Sequence, residues 1–537
     1  MRLLLAAALL LAAAATPLAA QGTAPVPLDD PAYVYLDRLE ELGLVDSAVM
    51  GQRPYSYREM ARLVAAARAT EETRPRDSAE QALVSSLLER LDARIPPRPS
   101  VVAAVLDEGR LAANRTNAVR ARPMTSAANA ALLGTIDPLA LRRLGDPAPR
   151  GSSLALELLQ RAEPTSWLGV NARERLEARD PAEPVPAHAA SLLAGGARVR
   201  WRNVALMAGR EQIGWGSGGR GGLFLAADAP ALDQVVLASD HPFVLPGALR
   251  LVGPVSGTLL VADLGPSAIR SQSKMLAYKL SMRPTAPLEV GLTFQDHYGG
   301  QGGRSSSFGN RLIDFLPMID IFRRHNYVDT TRTFDVDSDK AIGADVRWRI
   351  DRLGGVIVAG EILIDDFDVY RLVSLLNYAA SHALTITVPR LASPALSLQL
   401  SATHMGPLTY THATLLQGMT TRGRLMGNEL GPDAKAFGVE LRWMPSATVR
   451  LSAEARSSLH STSTYGAGYN ENGRWIVHKV DSGTDELREL AIGTVALEPT
   501  ARTSLTLRGG VERTRNIQVI GGRQYSYVAD VALRWRP

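Results

Sequence analysis

The stretch RQYSYVADVALRWRP, residues 523–537, decides the fold. Tyr525, Tyr527, Ala529, Val531, Leu533 and Trp535 fall at alternate positions, and Ser526, Asp530, Arg534 and Arg536 dominate the other set. Successive side chains of a strand point to opposite faces, so an aromatic and apolar face lies opposite a charged one. That is the division between lipid and lumen in a transmembrane β-strand. The pattern recurs upstream. Phe437, Val439, Leu441 and Trp443 oppose Glu440 and Arg442; Ile342, Ala344, Val346, Trp348 and Ile350 oppose Asp345, Arg347 and Arg349. Leu288, Val290, Leu292 and Phe294 oppose Glu289, Thr293 and Gln295. Eleven such strands fit between Leu276 and Arg536. Further candidates lie near 101–107, 128–135, 154–160, 167–178, 189–201, 204–210, 248–253 and 257–263, for a total near eighteen.

The connections say more than any one strand. Arg283–Pro287, Arg352–Gly355, Pro389–Ala395, Pro445–Ala447 and Pro499–Arg502 read as short turns. Between them lie long polar stretches at 296–340, 365–383, 403–436 and 457–488. Strict alternation of short and long is the habit of outer-membrane barrels, with short turns periplasmic and long loops extracellular. The chain ends on a strand, so the C-terminus is expected in the periplasm. The fold class is therefore mainly β: a transmembrane antiparallel barrel of about 18 strands, residues 100–537.

Two segments precede the barrel. Arg2, the Leu/Ala run from Leu3 to Ala15, and the small residues up to Ala20 form a signal peptide, residues 1–20. The run falls short of the roughly 20 residues that cross a bilayer as a helix. Residues 21–99 read as a small α-helical bundle, expected in the periplasm. Pro31 opens a helix carrying Leu36, Leu39 and Leu42, and Gly43 ends it. Ser56 with Glu59 and Ser78 with Gln81 have capping-box spacing ahead of two further apolar stripes, and Pro96, Pro97 and Pro99 stop the last.

Composition bounds the function. The chain has no cysteine, so it has neither disulfides nor thiolate metal sites. Its 59 Lys and Arg against 54 Asp and Glu leave a net charge of +5, spread through alternating segments rather than clustered, which gives no nucleic-acid footprint. The 9 His include no H-E-x-x-H arrangement, and there is no G-x-S-x-G. Asp335, Asp337 and Asp339 share the spacing of calcium loops but lack the glycine and the distal glutamate, and Asp365, Asp366 and Asp368 are no better. No metal, cofactor or catalytic site is nominated.

One block breaks the strand period: MAGREQIGWGSGGRGGLFLAADAPALDQVV, residues 207–236. Glycines crowd around Trp215 and Arg220, so the chain leaves the wall here or bends sharply. Arg210, Glu211, Trp215, Arg220, Asp228 and Asp233 combine an aromatic face with charged groups, a mix suited to a sugar ring and its hydroxyls. An inward-folding loop that plugs the lumen explains the same residues, and the two readings are compatible. Tyr465, Tyr469 and Trp475 form a second aromatic loop with reach to glycan or lipopolysaccharide.

VPLDDPAYVYLDRLEELGLV and GQRPYSYREMARLV near the start, and the GRE…WGSGGRGGLFL…DAP block at Gly209–Asp233, resemble the capsule assembly Wzi family. The resemblance implies an eighteen-stranded outer-membrane barrel with a periplasmic helical bundle. It also implies a lectin-like role in attaching capsular polysaccharide to the cell surface, with outer-membrane lipid and lipopolysaccharide as surroundings. Residues 26–68 also resemble one S-layer-homology repeat, which implies contact with peptidoglycan. A diffusion porin with a charged lumen is the standing alternative, and an outer-membrane lipase or glycosidase a third.

Overall fold

The computed structural model describes residues 22–73, 77–95, 102–117, 150–181, 186–216, 222–266, 271–302, 338–365, 380–411, 418–422, 424–461, 485–516 and 522–537, with short paired backbone segments elsewhere. Residues 1–20, Arg220, Asp335, Asp337, Asp366 and Asp368 lie outside the described residues. Eighteen antiparallel strands close into one barrel. They are β1 (Val102–Thr116), β2 (Gly151–Thr165), β3 (Leu168–Pro181), β4 (His188–Trp201), β5 (Val204–Glu211), β6 (Leu232–Ser239), β7 (Pro254–Asp263), β8 (Lys274–Thr285) and β9 (Leu288–Tyr298). The ring continues with β10 (Ser338–Ile350), β11 (Val356–Asp365), β12 (Ala380–Val388), β13 (Leu396–Met405), β14 (Ala434–Ser446), β15 (Val449–His460), β16 (Glu486–Thr500), β17 (Thr503–Arg515) and β18 (Arg523–Trp535). The last strand pairs with the first, Gly109 opposite Trp535 and Thr116 opposite Val528, so no edge is left open.

The eleven strands from Leu276 onward fall where alternation places them, as β8 to β18. Two of the earlier candidates are corrected. Residues 248–253 belong to a 3₁₀ helix, Gly247–Val252, and Leu133–Thr135 pairs only with Pro123–Met124, outside the barrel. One strand, β6, is additional; it follows the glycine-rich block directly.

Alternation sorts the side chains as lipid and water require. Leu154, Leu206, Val235, Leu292, Val346, Leu441, Val531 and Leu533 are exposed on the outside. Glu157, Arg173, Arg175, Lys279, Asp345 and Asp530 are buried inside. The inner charges pair across neighbouring strands: Arg173 and Arg175 reach Glu157 at 2.7 and 2.9 Å, and Lys279 meets Asp345. Trp167, Trp201, Trp348, Trp443 and Trp535 all stand near the short-turn end, and four of them are exposed. Such a belt marks the interface between hydrocarbon and headgroups. No described helix is long and apolar enough to cross a membrane; the crossing is made by strands.

Three helices precede the barrel: α1 (Pro31–Glu41), α2 (Tyr57–Thr73) and α3 (Ser78–Arg94). Asp30 caps α1 by accepting from the Ala32 N–H at 2.8 Å, and Ser56 accepts from Glu59 at the start of α2. The cap of α3 is Asp77, accepting from Glu80 at 2.7 Å, rather than Ser78. The apolar stripes meet in a core of Leu36, Leu39, Leu63, Leu87 and Leu88, which Met444 and Ala447 of the barrel complete.

This module docks against the short-turn end. The Tyr35 hydroxyl donates to the Ala447 carbonyl, Arg38 to the carbonyls of Pro389 and Pro394, and Arg90 to that of Glu498. Ion pairs extend round the rim: Asp29 with Arg173 and Arg534, Glu41 with Arg442, Asp46 with Arg349, Glu80 with Arg390, and Arg94 with Glu498. Deeper in, the Met50 and Gly51 N–H groups donate to the Glu289 carboxylate, both at 2.8 Å.

Candidate functional site

The glycine-rich segment between β5 and β6 turns into the lumen. Gly214–Trp215 pairs antiparallel with Gln52–Arg53, so the tip of the helical module and the segment share a two-stranded sheet inside the barrel. The Trp215 N–H donates to the Leu225 carbonyl at 2.8 Å, and the Leu223 N–H to the inward carboxylate of Glu361 on β11 at 2.9 Å. Glycine is needed for this path. Gly216 has φ +129°, and a Cβ there would overlap the Glu361 carboxylate; one on Gly222 would overlap the Trp215 carbonyl.

The segment meets a second inward loop, residues 406–433 between β13 and β14. The Tyr410 hydroxyl donates to the Leu223 carbonyl and accepts from the Asn428 N–H at 2.9 Å. The Ala226 N–H donates to the Met426 carbonyl at 2.9 Å. Trp215, 3% exposed, Leu223, Phe224 and Leu225 pack with Tyr410, Met419, Leu425 and Met426 in one apolar cluster. That cluster also takes in Met207 of β5 and Met405 of β13, eight places apart in a ring of eighteen strands. It therefore spans the lumen from wall to wall. Between this plug and the helical module lies a chamber of about 610 Å³, lined by Asp29, Gln212, Asp228, Glu429, Arg450 and Arg456 among others.

The six candidate residues do not form one site. Arg210 and Glu211 are neighbours on a strand and so face opposite ways. Arg210 points outward and clasps Asp233 of β6 through two bonds of 2.6 and 2.8 Å. Arg422, from the second loop, reaches the same carboxylate at 3.0 Å. Beside them Asp263 pairs with Lys274, so β5 to β8 end in a partly exposed row of charges at the long-loop rim. Glu211 points inward, is buried, and accepts from Asn171 at 3.0 Å. Trp215 lies in the plug core and Asp228 faces the chamber. Asp339 and Asp365 are buried on β10 and β11. Among the described residues no group of three or more His, Asp or Glu is placed to hold a metal ion.

Tyr410 and Arg422 were not among the candidates, because residues 403–436 read as a polar external loop. Met405, Leu408, Met419, Leu425, Met426 and Leu430 in that stretch are the signal that it is not wholly in water.

The family profile described as capsule assembly protein Wzi matches residues 185–525, more than half of the chain. This chain belongs to the Wzi capsule assembly family. Among solved structures it is similar to Escherichia coli Wzi, described as an outer-membrane protein involved in group 1 capsule assembly and a carbohydrate-binding β-barrel. The two share 15% identity over 95% of this chain and 98% of that one, with a TM-score of 0.66. Pseudomonas aeruginosa OccD3 follows at 10% identity, 81% and 92% coverage and a TM-score of 0.45, and OprD at 9%, 80% and 94%, and 0.43. No curated protein sequence matches the chain. Within the Wzi family, the solved relative's likeness at this identity speaks for the fold: closed barrel, N-terminal helices and eighteen strands.

Proposed function

We propose that this protein is an outer-membrane barrel that binds surface, capsular polysaccharide and helps attach or assemble it at the cell surface. The observation that carries the reading is a Wzi-family barrel whose lumen is spanned by its own chain. A wall-to-wall apolar plug with a helical module beneath it suits a binding scaffold better than a diffusion pore. Residues 1–20 direct export. The helical module and C-terminus lie in the periplasm, and the long loops lie outside. The module's free face is turned towards peptidoglycan, and the apolar band contacts outer-membrane lipid.

Sugar contact is assigned to the long-loop rim rather than to Trp215, whose ring is buried. Arg210, Asp233 and Arg422, with Asp263 and Lys274, offer guanidinium and ammonium donors to sugar carboxylates and carboxylate acceptors to hydroxyls. Deleting the gene in the native host is expected to release capsule into the medium while total polymer stays constant. A deletion strain with its capsule still cell-bound sinks the proposal. In planar bilayers the purified protein is expected to be silent; a steady ohmic channel would favour the porin.

A further inference from the structure

The long-loop rim differs around its circumference. On β5 to β8 two carboxylates, Asp233 and Asp263, lie directly opposite each other across the strand pair. Like charges so placed repel, and the protein answers with its own cations, Arg210, Arg422 and Lys274. On β17 and β18 the signs are reversed and the answer is missing. Arg515 lies directly opposite Arg523, and Arg513 stands two residues below, opposite Tyr525. All three face outward with Val511 and Tyr527. Glu489 of β16 takes Arg513 at 2.6 Å and Arg515 at 3.4 Å. Arg523 is exposed and has no partner among the described residues, and the Arg515 Nε lacks an acceptor. Three guanidiniums thus share one carboxylate.

Their height fixes what surrounds them. About 9–11 residues of a tilted strand cross the hydrocarbon core. Counting back from Trp535 in the short-turn belt puts the far boundary at Tyr525 and Tyr527, which are 65% and 39% exposed. Tyrosines hold that boundary because their rings are apolar and their hydroxyls wet. Arg523 and Arg515 lie just beyond it, in the headgroup layer, above the exposed Val511 and Val531. A phosphate there can accept paired hydrogen bonds from two guanidiniums and cancel their repulsion.

We propose that Arg513, Arg515 and Arg523 form a site for the phosphate-bearing headgroup of a glycolipid in the leaflet at the long-loop rim, its acyl chains lying along Val511, Tyr527 and Val531. The site rests on the membrane-spanning reading of the barrel and not on polysaccharide binding. The full chain, purified in detergent, is titrated with bis-phosphorylated lipid A and with the same lipid stripped of phosphate, and bound lipid is read by native mass spectrometry. The wild type is expected to retain the phosphorylated lipid selectively. R515Q/R523Q should weaken retention by about tenfold or more, as expected for lost charge-assisted hydrogen bonds. R250Q, the same kind of charge change on the exposed 3₁₀ helix at the opposite rim, should leave it unaltered. Heat-modifiable migration on gels confirms that each variant is folded. Equal retention by R515Q/R523Q and wild type, or equal retention of the phosphate-free lipid, overturns the site. Polysaccharide binding by the same variants reads the earlier proposal separately, since none of these arginines belongs to it.

Discussion

The helical module and the lumen plug close the same barrel at two levels, and they are held by different forces. The module docks through ions: Asp29, Glu41, Asp46, Glu80 and Arg94 each meet an opposite charge on the barrel. The plug is held through apolar packing around Trp215 and a few backbone hydrogen bonds. The module meets a rim of turns and strand ends rich in charge, so its contacts are specific in direction and sensitive to a lost partner. The plug must bridge a wide lumen, where flexible Met419, Met426 and Met405 fill irregular space. One seal is addressed by charge and the other by volume.

The largest expected effect tests the charged seal. Glu498 is fully buried and serves Arg94 at 3.1 Å and Arg450 at 3.1 Å. Glu498→Ala leaves buried guanidiniums without that carboxylate, at a cost of about 3–5 kcal/mol. Amide exchange in α3 should rise sharply while the strands stay protected. Unchanged protection of residues 78–95 would mean that the module is not held by these ions. For the apolar seal, Trp215→Ala should cost about 3 kcal/mol, at the low end for so large a truncation, because the surrounding methionines can collapse into the space. The readout is protease sensitivity of the plug together with flickering conductance in bilayers, and a variant as silent and resistant as wild type would break the comparison.

These predictions rest on contacts that were legible to different degrees. Alternation around Tyr525–Trp535, Phe437–Trp443 and Ile342–Ile350 placed the later strands, because one face must meet lipid and the other the lumen. The same rule carries the separation of Arg210 from Glu211, which a list of nearby polar residues hides. Strand β6 was obscured because it follows directly on the glycine block. Residues 248–253 misled because Leu249 and Leu251 alternate with polar groups yet lie on a 3₁₀ helix with no buried residue. The module's ion pairs have no local signature: Asp29 and Arg534 stand 505 residues apart. Likewise, Tyr410 and Leu223 are joined only when two loops fold into one lumen.

Acid should separate the two seals. Burial alone would raise the Asp29 carboxyl, but the Arg173 and Arg534 guanidiniums overcome it and hold it well below the usual range. Asp30 is likewise lowered, burial being outweighed by Arg536 and Arg94. A depressed carboxylate stabilises the folded state above its unfolded value, 3.8, and that stability is lost as the pH falls towards the folded value. Glu59 acts in the opposite sense: burial, ahead of Arg62, raises it, so its penalty at neutral pH fades on acidification. Two carboxylates outweigh one, and at pH 3 the docking should weaken by roughly 2 kcal/mol, at about 1.4 kcal/mol per unit for each depressed group. Module exchange should accelerate between about pH 4 and pH 3 while Trp215 fluorescence, reporting the apolar plug, stays constant. Equal acid sensitivity of both would refute the division.

The finest test compares one hydroxyl in each seal. Tyr410 joins the two inward loops, donating to Leu223 and accepting from Asn428, and it is fully buried. Tyr410→Phe leaves a buried carbonyl and a buried N–H unmatched, at a cost of about 1–2 kcal/mol. Tyr35 makes one long bond of 3.3 Å to the Ala447 carbonyl, with Arg450 5.4 Å over its ring. Tyr35→Phe keeps the ring and loses only that bond, so about 0.5 kcal/mol is expected. The ratio matters more than either value. The plug has few polar contacts, and each carries a large share of its geometry, whereas the module's many ion pairs make any one hydroxyl dispensable. Local opening energies from amide exchange at 223–226 and 31–41 give both numbers in one experiment, and a larger loss in the module would reverse this account of where hydrogen bonds matter.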